Sequence, residues 1–329
     1  MKVLSLFDGV SCCRLALERA GIKVDTYYAS EIDKYAIQVA QKNYPDTIQL
    51  GDVTKWREWD IDWKSIDLLA GGSPCQSFSN AGTRTGFDGK SGLFYTYLEI
   101  LNHLKEVNPN IKFLLENVRM KKEWQDEITR CMGVEPVLIN SALVSAQQRN
   151  RLYWCNWEVG QPEDKHILLK DILETSTGDN VNISTYLRDY GTKGKIMTLE
   201  DEKTQCLTAS MGTGGGNIPL VAEPIRVGHF GKGEQGQRIY SVRGKCICLS
   251  SALGGGNQVW LKIDLPDGDY IIRKLSPIEA ERCQTLPDNW TEGISNSRRY
   301  QCVGNGWTVD VIAHIFSTMD KPKRKEELF

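Results

Sequence analysis

The sequence predicts an α/β protein, in which a doubly wound, mostly parallel sheet carries most of the chain and a smaller, mainly β domain is inserted late. Three observations support this prediction. Through the first 155 residues, short β-branched runs alternate with segments of helical periodicity, as in repeated strand–helix units. Glycine, threonine, serine and short apolar runs replace the helical pattern over residues 156–272. Helical periodicity then returns at 276–285 and 309–319.

The elements of the first part follow from local patterns. Strands are predicted at 2–7, 26–30, 66–70 and 111–115, and helices at 11–20, 33–43 and 92–106. The first helix is expected to end at Gly21 and the second before Pro45, because glycine suits a helix C-terminus and proline cannot continue a helix. The third helix places its apolar side chains on one face: Leu93, Tyr97, Ile100, Leu101 and Leu104. An open sheet of this kind binds ligands at the carboxyl ends of its strands.

The middle of the chain contains an internal repeat. Residues 195–217 carry the runs KIMTL, CLTAS and GGGN, and residues 238–257 carry RIYSV, CLSS and GGGN in the same order. Two copies predict a pseudo-symmetric β subdomain rather than a solenoid, which needs more copies. We therefore divide the chain into a first domain at 1–155, a repeat-bearing domain at 156–272, and a return segment at 273–329 that completes the first domain.

The composition excludes several classes of protein. The 329 residues include 40 Lys and Arg against 42 Asp and Glu, which excludes a globally basic nucleic-acid coat but allows a local basic face. With 40% apolar and 25% charged residues, the chain has the composition of a folded globular protein. No apolar run approaches the roughly 18 residues of a membrane span, and the N-terminus lacks a signal-peptide pattern. We expect a soluble intracellular protein.

The ten cysteines are scattered rather than arranged as a disulfide framework. The chain has no C-x-x-C motif, and none of its four histidines lies near a cysteine pair. We therefore expect no metal site, and we expect most cysteines to be small buried side chains in a reducing compartment.

The sharpest chemical signal directly follows the strand predicted at 66–70. The segment 71–79 reads GGSPCQSFS, in which a rigid proline precedes Cys75 and a flexible loop follows it. This arrangement suits the presentation of a thiolate into a cleft, although a buried turn cysteine could have the same local sequence. Glu116 stands at the end of the next strand and should point into the same cleft, unless it is a surface acid.

An arginine pair leads into a further strand. Arg149 and Arg151 are two residues apart, so their side chains are expected on the same face. Two such arginines suit an anionic ligand, and charge protection of an exposed strand edge is the alternative.

In this order, the blocks around Cys75, Glu116 and Arg149 resemble those of the DNA cytosine-5 methyltransferases. The likeness extends over residues 1–155 and 273–319. It implies the Rossmann-like fold of the class I S-adenosylmethionine-dependent methyltransferases, with the repeat-bearing domain as the target-recognition domain.

The resemblance also implies S-adenosylmethionine as the cofactor. Glu31 corresponds to the ribose-binding acid of the family, and Asp52 corresponds to its adenine-binding acid. The full set of matching cofactor residues is Phe7, Asp8, Gly9, Val10, Ser11, Glu31, Ile32, Asp52, Val53, Leu93, Asn305 and Trp307. An aromatic ring such as that of Phe7 or Trp307 can pack on the adenine or on the sulfonium.

Two blocks depart from the usual bacterial pattern. The first loop reads VSCC at 10–13, where a second glycine is usual, and Gly306-Trp307 stands where Ser/Ala-Val is usual. Both changes, with Ser30-Glu31, are similar to the catalytic domains of the mammalian de novo methyltransferases. The cofactor assignment is kept, while the contacts at 10–13 and 306 stay undefined.

The reaction implied by the resemblance takes place on a base that has left the duplex. The Cys75 thiolate adds to C6 of cytosine, C5 then takes the methyl group, and loss of the C5 proton expels the thiolate. Glu116 holds the N3/N4 edge and stabilises the charge, while Arg149 and Arg151 orient the base. The glycine-rich segment 80–92 resembles a loop that closes over the site, with an ordinary connection as the alternative.

Double-stranded DNA, methylated at a specific sequence, is the implied partner, with no metal and no membrane involved. Over 226–299 there are eleven Lys and Arg against eight Asp and Glu. Phosphate contact or simple surface solvation would account for Arg238, Arg243, Lys245, Arg298 and Arg299. We expect a cytoplasmic monomer, bacterial or phage-encoded and associated with the nucleoid through DNA, although the sequence leaves a dimer open.

Two rival functions share these features. An RNA cytosine-5 methyltransferase has the same fold, but members acting on transfer RNA carry a Cys-Phe-Thr block and lack a long repeat-bearing region. A catalytically silent homologue would read DNA for a partner, yet it would have no physical need for a presented thiol. A 5-fluorocytosine substrate would distinguish the active enzyme from the silent homologue, because only the enzyme should form a covalent adduct.

Overall fold

The computed structural model describes residues 1–74, 92–174, 197–198, 225–229, 237–249, 251, 258–264 and 270–319. Within these residues the strands form one larger and one smaller sheet. The predicted α/β class is confirmed. Cys75, residues 80–91 of the predicted closing loop and most of the first repeat copy lie outside the described residues.

The larger sheet has seven strands in the order β3-β2-β1-β4-β5-β7-β6. These strands are β1 (Lys2–Leu6), β2 (Thr26–Ser30), β3 (Ile48–Gln49), β4 (Leu68–Gly72), β5 (Lys112–Val118), β6 (Val137–Asn140) and β7 (Asn150–Cys155). The pairs among β1 to β5 are parallel, while β7 runs antiparallel to both β5 and β6. The predicted doubly wound, mostly parallel sheet is confirmed, with one reversed strand next to its edge.

Seven α-helices lie within the described residues: α1 (Cys12–Arg19), α2 (Lys34–Asn43), α3 (Leu93–Val107), α4 (Lys122–Met132), α5 (Pro277–Cys283), α6 (Asn296–Asn305) and α7 (Val309–Ser317). Local signals start two of them. Asp33 caps α2 by accepting from the N–H groups of its first turn, and Ser276 forms a reciprocal capping box with Glu279 at the start of α5. α4 and α6 were not predicted from the sequence, since both are largely polar.

Both faces of the larger sheet are buried. Along β1, Leu4 and Leu6 join a core that contains the apolar face of α3, whereas Val3 joins a second core that contains α1 and α7. All three side chains are fully buried. This alternation follows from the two-residue period of a strand, and burial on both sides explains why the strands read as nearly continuous apolar runs.

The smaller sheet is built from the repeat-bearing region and the start of the return segment. Its order is β12-β11-β10-β9-β8, with β8 (Met197–Thr198), β9 (Arg226–His229), β10 (Arg238–Ser241), β11 (Trp260–Asp264) and β12 (Tyr270–Lys274). β8 belongs to the first repeat copy and β10 to the second, and the two lie on either side of β9, both antiparallel to it. The equivalent strands of the two copies therefore share one neighbour.

The segment before this sheet contacts the first domain. Trp157 Nε1 donates to the Ile315 carbonyl at 3.0 Å, and Lys165 Nζ bonds Asp310 Oδ2 at 2.8 Å. The division of the chain at residue 156 stays a prediction, although residues 157–165 pack against α7. Among the described residues, no helix combines the length and the apolar character needed to cross a membrane.

Candidate active site

The turn from β1 into α1 has an unusual backbone. Phe7, Gly9 and Ser11 have φ values of 57°, 61° and 61°, a left-handed conformation that only glycine adopts without strain. Below the turn, the Asp8 carboxylate accepts hydrogen bonds from Tyr27 Oη at 2.6 Å and from Ser11 Oγ at 2.7 Å. Burial raises the pKa of Asp8. This buried polar group holds the turn in shape.

Three residues predicted to contact the cofactor turn their side chains into the interior. Asp8, Val10 and Ser11 are 7%, 0% and 0% exposed. At these three positions the turn therefore presents backbone rather than side chain, and their contact with the cofactor stays a prediction. Phe7 and Gly9 are half-buried at its surface.

Glu31 lies at the carboxyl end of β2, opposite this turn. Its Oε2 accepts the Gly9 N–H at 2.8 Å, and its Oε1 accepts the N–H groups of Ile32 and Asp33 at 2.7 and 2.8 Å. The Ile32 side chain is 76% exposed, more than any other large apolar side chain of the described residues. An acid and an exposed apolar group thus stand next to the β1–α1 turn.

The remaining predicted cofactor residues come from three other segments. Asp52 is exposed after β3, and the backbone N–H of Thr54, at 2.9 Å from Oδ1, lowers the pKa of its carboxyl group. Val53 beside it is buried. Leu93 is half-buried at the start of α3, and Asn305 is exposed at the end of α6.

Glu116 forms the centre of a bonded group at the carboxyl end of β5. Arg151 Nε lies 3.0 Å from Oε1, and Trp307 Nε1 donates to Oε2 at 3.1 Å. Glu116 is opposite Gly72 in the parallel β4–β5 register. Glu116 as a residue is 8% exposed, so the carboxylate reaches the edge of the sheet but is largely enclosed.

Arg149 does not join this group directly. Its guanidinium is buried and donates to three backbone carbonyls: Nη1 to Leu249 at 3.0 Å, Nη2 to Gly306 at 3.1 Å, and both nitrogens to Gly304 at 3.4 Å. Burial lowers the pKa of Arg149. Arg149 therefore ties together backbone segments around the site, whereas Arg151 contacts the Glu116 carboxylate.

Cys248 was not predicted from the sequence as a site residue. Its Sγ lies 3.6 Å from Arg149 Nη1 and 3.9 Å from Arg151 Nη2, so the two arginines face one side as predicted. Burial raises the pKa of the thiol, but the two guanidinium groups outweigh burial and the pKa is lowered overall. No local pattern around this cysteine marks it, because the arginines lie about a hundred positions away in the chain.

A buried amide network behind Arg149 was also not predicted. Gln147 Nε2 donates to Gln284 Oε1 at 3.1 Å, and Thr308 Oγ1 donates to the same oxygen at 2.7 Å. Gln284 Nε2 donates to the Gly306 carbonyl at 3.2 Å. The network fixes the chain between α6 and α7, where Trp307 lies.

Two of the five cations suggested as phosphate contacts are interior groups, which corrects that expectation. Lys245 is 1% exposed, and its Nζ donates to the carbonyls of Ala142 at 2.8 Å and Ser145 at 2.9 Å, and to that of Ile167. Arg299 is 9% exposed and pairs with Glu281 Oε1 at 2.8 Å. Both cations brace the fold rather than face a ligand.

We expect Lys245→Met to destabilise the fold by about 1–3 kcal/mol, because buried carbonyls lose their donor. Denaturant unfolding of the variant and of the wild type measures this difference. The exposed Lys170 offers the matched control, and Lys170→Met should change stability by less than about 0.5 kcal/mol. A stable Lys245→Met protein whose DNA affinity is weaker and less salt-dependent than that of the wild type would restore the phosphate-contact interpretation.

The chain leaves β4 towards Cys75 beside Glu116. Ser73 is buried, and its Oγ accepts from Asn117 Nδ2 at 3.1 Å. Pro74 is the last residue described before Cys75, which itself lies outside the described residues. The structure thus brings Ser73 and Pro74, which directly precede Cys75 in the chain, to the same edge of one sheet as Glu116 and the cofactor-loop residues.

Comparison with known proteins decides the family. A family profile described as C-5 cytosine-specific DNA methylase matches residues 1–321. The chain belongs to this family. It is a DNA cytosine-5 methyltransferase, and the resemblance inferred from the sequence blocks is confirmed. Methylation of cytosine in DNA is therefore the activity of the protein.

Individual relatives agree with the family. The type II methyltransferase M.HhaI of Haemophilus parahaemolyticus is 29% identical, with 96% of this chain and 93% of the relative covered. The orphan methyltransferase M.SPRI of Bacillus phage SPR is 43% identical, with 97% of each covered. Among solved structures, the Entamoeba histolytica methyltransferase EhMeth has a TM-score of 0.64 at 17% identity, covering 96% of each chain, which supports the fold.

Proposed function

We propose that this protein transfers a methyl group from S-adenosylmethionine to C5 of cytosine in double-stranded DNA, at a specific sequence. The reaction proceeds by covalent addition of Cys75 to C6 of a flipped-out base. One observation carries the proposal: the Glu116 carboxylate, bonded to Arg151 and Trp307, stands beside the strand end from which the chain continues to Cys75. A carboxylate next to a nucleophile is what addition to a pyrimidine requires.

The residues at the ends of β1, β2 and β3 fit S-adenosylmethionine. A carboxylate has about four acceptor positions, so the three backbone bonds of Glu31 leave capacity for a ribose hydroxyl. Asp52 would hold the adenine amino group with its exposed carboxylate. Apolar and polar contacts would come from Phe7, Gly9, Ile32, Val53, Leu93, Asn305 and Trp307. When bound, the cofactor supplies an electrophilic methyl group on a sulfonium.

Each of the site side chains has a separate role in the reaction of the base. Cys75 adds to C6 as a thiolate, which makes C5 nucleophilic, and it leaves when the C5 proton is lost. Glu116 accepts from the N4 amino group and stabilises positive charge at N3. Arg151 holds one oxygen of Glu116, and Arg149 acts behind it by fixing the backbone of residues 304 and 306.

The relatives support DNA as the substrate and sequence-specific methylation as the activity. Their names include both type II and orphan methyltransferases, from bacteria and from Bacillus phages. Residues 156–272 would supply the recognition of the target sequence. We place the protein in the cytoplasm of a bacterial host, where its DNA substrate lies.

The test is bisulfite sequencing of plasmid DNA from cells that express the wild type or Cys75→Ala. We expect cytosines in a fixed sequence context to be protected by the wild type only. Cofactor affinity, measured by calorimetry, should be retained in Cys75→Ala because the thiol is not a cofactor contact. Methylation by Cys75→Ala would refute the covalent mechanism. A soluble, cofactor-binding wild type that protects no cytosine would instead favour an RNA substrate or a silent DNA reader.

A further inference from the structure

Trp307 stands where the closing block of the family usually carries valine. Its indole Nε1–H donates to Glu116 Oε2 at 3.1 Å, between residues 191 positions apart in the chain. Arg151 Nε lies 3.0 Å from the other carboxylate oxygen, Oε1. The valine side chain has no N–H group, so a residue of the usual type could not supply this second side-chain donor.

The backbone that carries Trp307 is itself held in place. The Gly306 carbonyl accepts from Arg149 Nη2 at 3.1 Å and from Gln284 Nε2 at 3.2 Å. Both donors therefore hold the carbonyl of the peptide that joins residues 306 and 307. A side chain that positions another group must have a fixed backbone, and here the peptide before Trp307 is held by two side-chain donors.

The two departures from the usual bacterial pattern are in contact with each other. A Cβ at Gly306 would lie 3.2 Å from Cys12 Sγ and 3.3 Å from the Cys302 carbonyl, so the serine or alanine usual there would press on Cys12. Glycine at 306 leaves room for the Cys12 side chain at the start of α1. The pair of changes therefore keeps the Trp307 backbone close to α1.

Little free space surrounds the indole and the carboxylate. A Cβ at Gly72 would lie 2.8 Å from Glu116 Oε2 and 2.9 Å from Trp307 Nε1, closer than real Cβ contacts. The hydrogen-bonded pair is thus packed directly on the backbone at the end of β4. Rotation of the carboxylate is restricted by this packing and by one N–H donor on each oxygen.

We propose that Trp307 is a positioning residue, whose indole N–H holds the Glu116 carboxylate in the orientation that receives the N3/N4 edge of cytosine. This inference rests on the proposed function and adds a role distinct from cofactor packing. The free acceptor positions of Glu116 then point in a constant direction, since both bonded partners are donors only. Loss of the indole N–H should affect chemistry on the base more than cofactor binding.

The test compares the wild type with Trp307→Phe, which keeps an aromatic ring but removes the donor. We expect the single-turnover methylation rate to fall about tenfold or more, since a hydrogen bond to a charged group is lost. The affinity for S-adenosylmethionine, measured by calorimetry, should change less than about threefold, because ring packing is retained. Thermal unfolding checks that the variant is folded.

A cofactor-free measurement separates the two roles of Trp307. DNA labelled with tritium at C5 of cytosine loses the label when the Cys75 thiolate adds to C6, a solvent proton joins C5, and the C5 tritium leaves as the thiolate departs. Trp307→Phe should slow this exchange about as much as methylation. Trp307→His, which retains a ring N–H, should recover part of the rate.

Two controls test the path through Glu116. In a Glu116→Ala background, adding Trp307→Phe should lower the residual exchange rate less than about twofold, because coupled residues are non-additive. Trp157→Phe removes an indole N–H that donates to the Ile315 carbonyl at 3.0 Å, far along the chain from Glu116, and should leave the methylation rate unchanged.

Two results would overturn the inference: a wild-type exchange rate in Trp307→Phe, or a defect confined to cofactor affinity. The first would show that the indole N–H has no effect on the base, and the second would leave Trp307 as a cofactor contact alone. A wild type that neither methylates DNA nor exchanges the C5 hydrogen would instead contradict the proposed function itself.

Discussion

Glu116→Gln should slow methyl transfer about 10²–10³-fold, the size expected when a transition-state stabilising group is lost. Both partners of this carboxylate, Arg151 Nε and Trp307 Nε1, are donors. A glutamine has one oxygen and one NH2 group, so its NH2 must face one of those donors wherever the amide is turned. The neutral amide also cannot balance positive charge at N3. Single-turnover kinetics with labelled cofactor measures the loss.

Glu99→Gln is the matched control for this substitution. Glu99 pairs with Arg57 at 3.0 Å, and both side chains are largely exposed on the outside of α3. The same loss of charge there should leave the methylation rate unchanged, because an exposed ion pair contributes little to the stability of the fold and Glu99 is not a predicted site residue. A Glu116→Gln enzyme within about threefold of the wild-type rate would contradict the role of Glu116.

Gly72→Ala is expected to lower the methylation rate about 10²-fold while the cofactor affinity changes far less. The added methyl group would lie 2.8 Å from Glu116 Oε2 and 2.9 Å from Trp307 Nε1, so one of the two groups must move. Because Glu116 is opposite Gly72 in the β4–β5 register, the backbone offers no easy relief. Steady-state kinetics, calorimetry with S-adenosylmethionine and a thermal melt together measure the effect.

Gly160→Ala provides the comparison. A Cβ at Gly160 meets no atom within 4 Å, so this alanine should change neither rate nor stability appreciably. The pair of variants separates the effect of a methyl group at the site from the general effect of replacing glycine. Full activity in Gly72→Ala would mean that the Glu116–Trp307 arrangement is not required for the reaction.

Much of the large sheet was predictable because its signals are local. Strand character at 26–30 and the helix at 33–43 follow from residue type and period, and Asp33 provides the cap that starts α2. The sequence predicted the class of sheet, doubly wound and mostly parallel, but not the order of its strands. The reversed strand β7 lies between β5 and β6 because of hydrogen bonds between distant segments, which no local pattern encodes.

The sequence segments that contribute to the candidate site were predictable, but the contacts between them were not. Glu116 was expected in the cleft beside Cys75, and the arginine pair was expected on one common face. The structure brings Glu116 and Arg151 together. The different roles of the two arginines were not predictable, since Arg149 is buried against backbone carbonyls whereas Arg151 pairs with the Glu116 carboxylate. Nor did the sequence indicate that Lys245, expected at a basic surface, would be an interior cation.

By itself, the sequence determined the fold class, the family and the chemical groups available at the strand ends. These properties depend on residue type, spacing and period, which are read along the chain. Only the tertiary structure decided which donor reaches which acceptor. The Trp307–Glu116 bond, the packing of both groups on Gly72, and the contact of Cys12 with Gly306 join segments far apart in sequence. Such contacts depend on the packing of distant elements, because the donor–acceptor distance of a hydrogen bond varies by only a few tenths of an ångström.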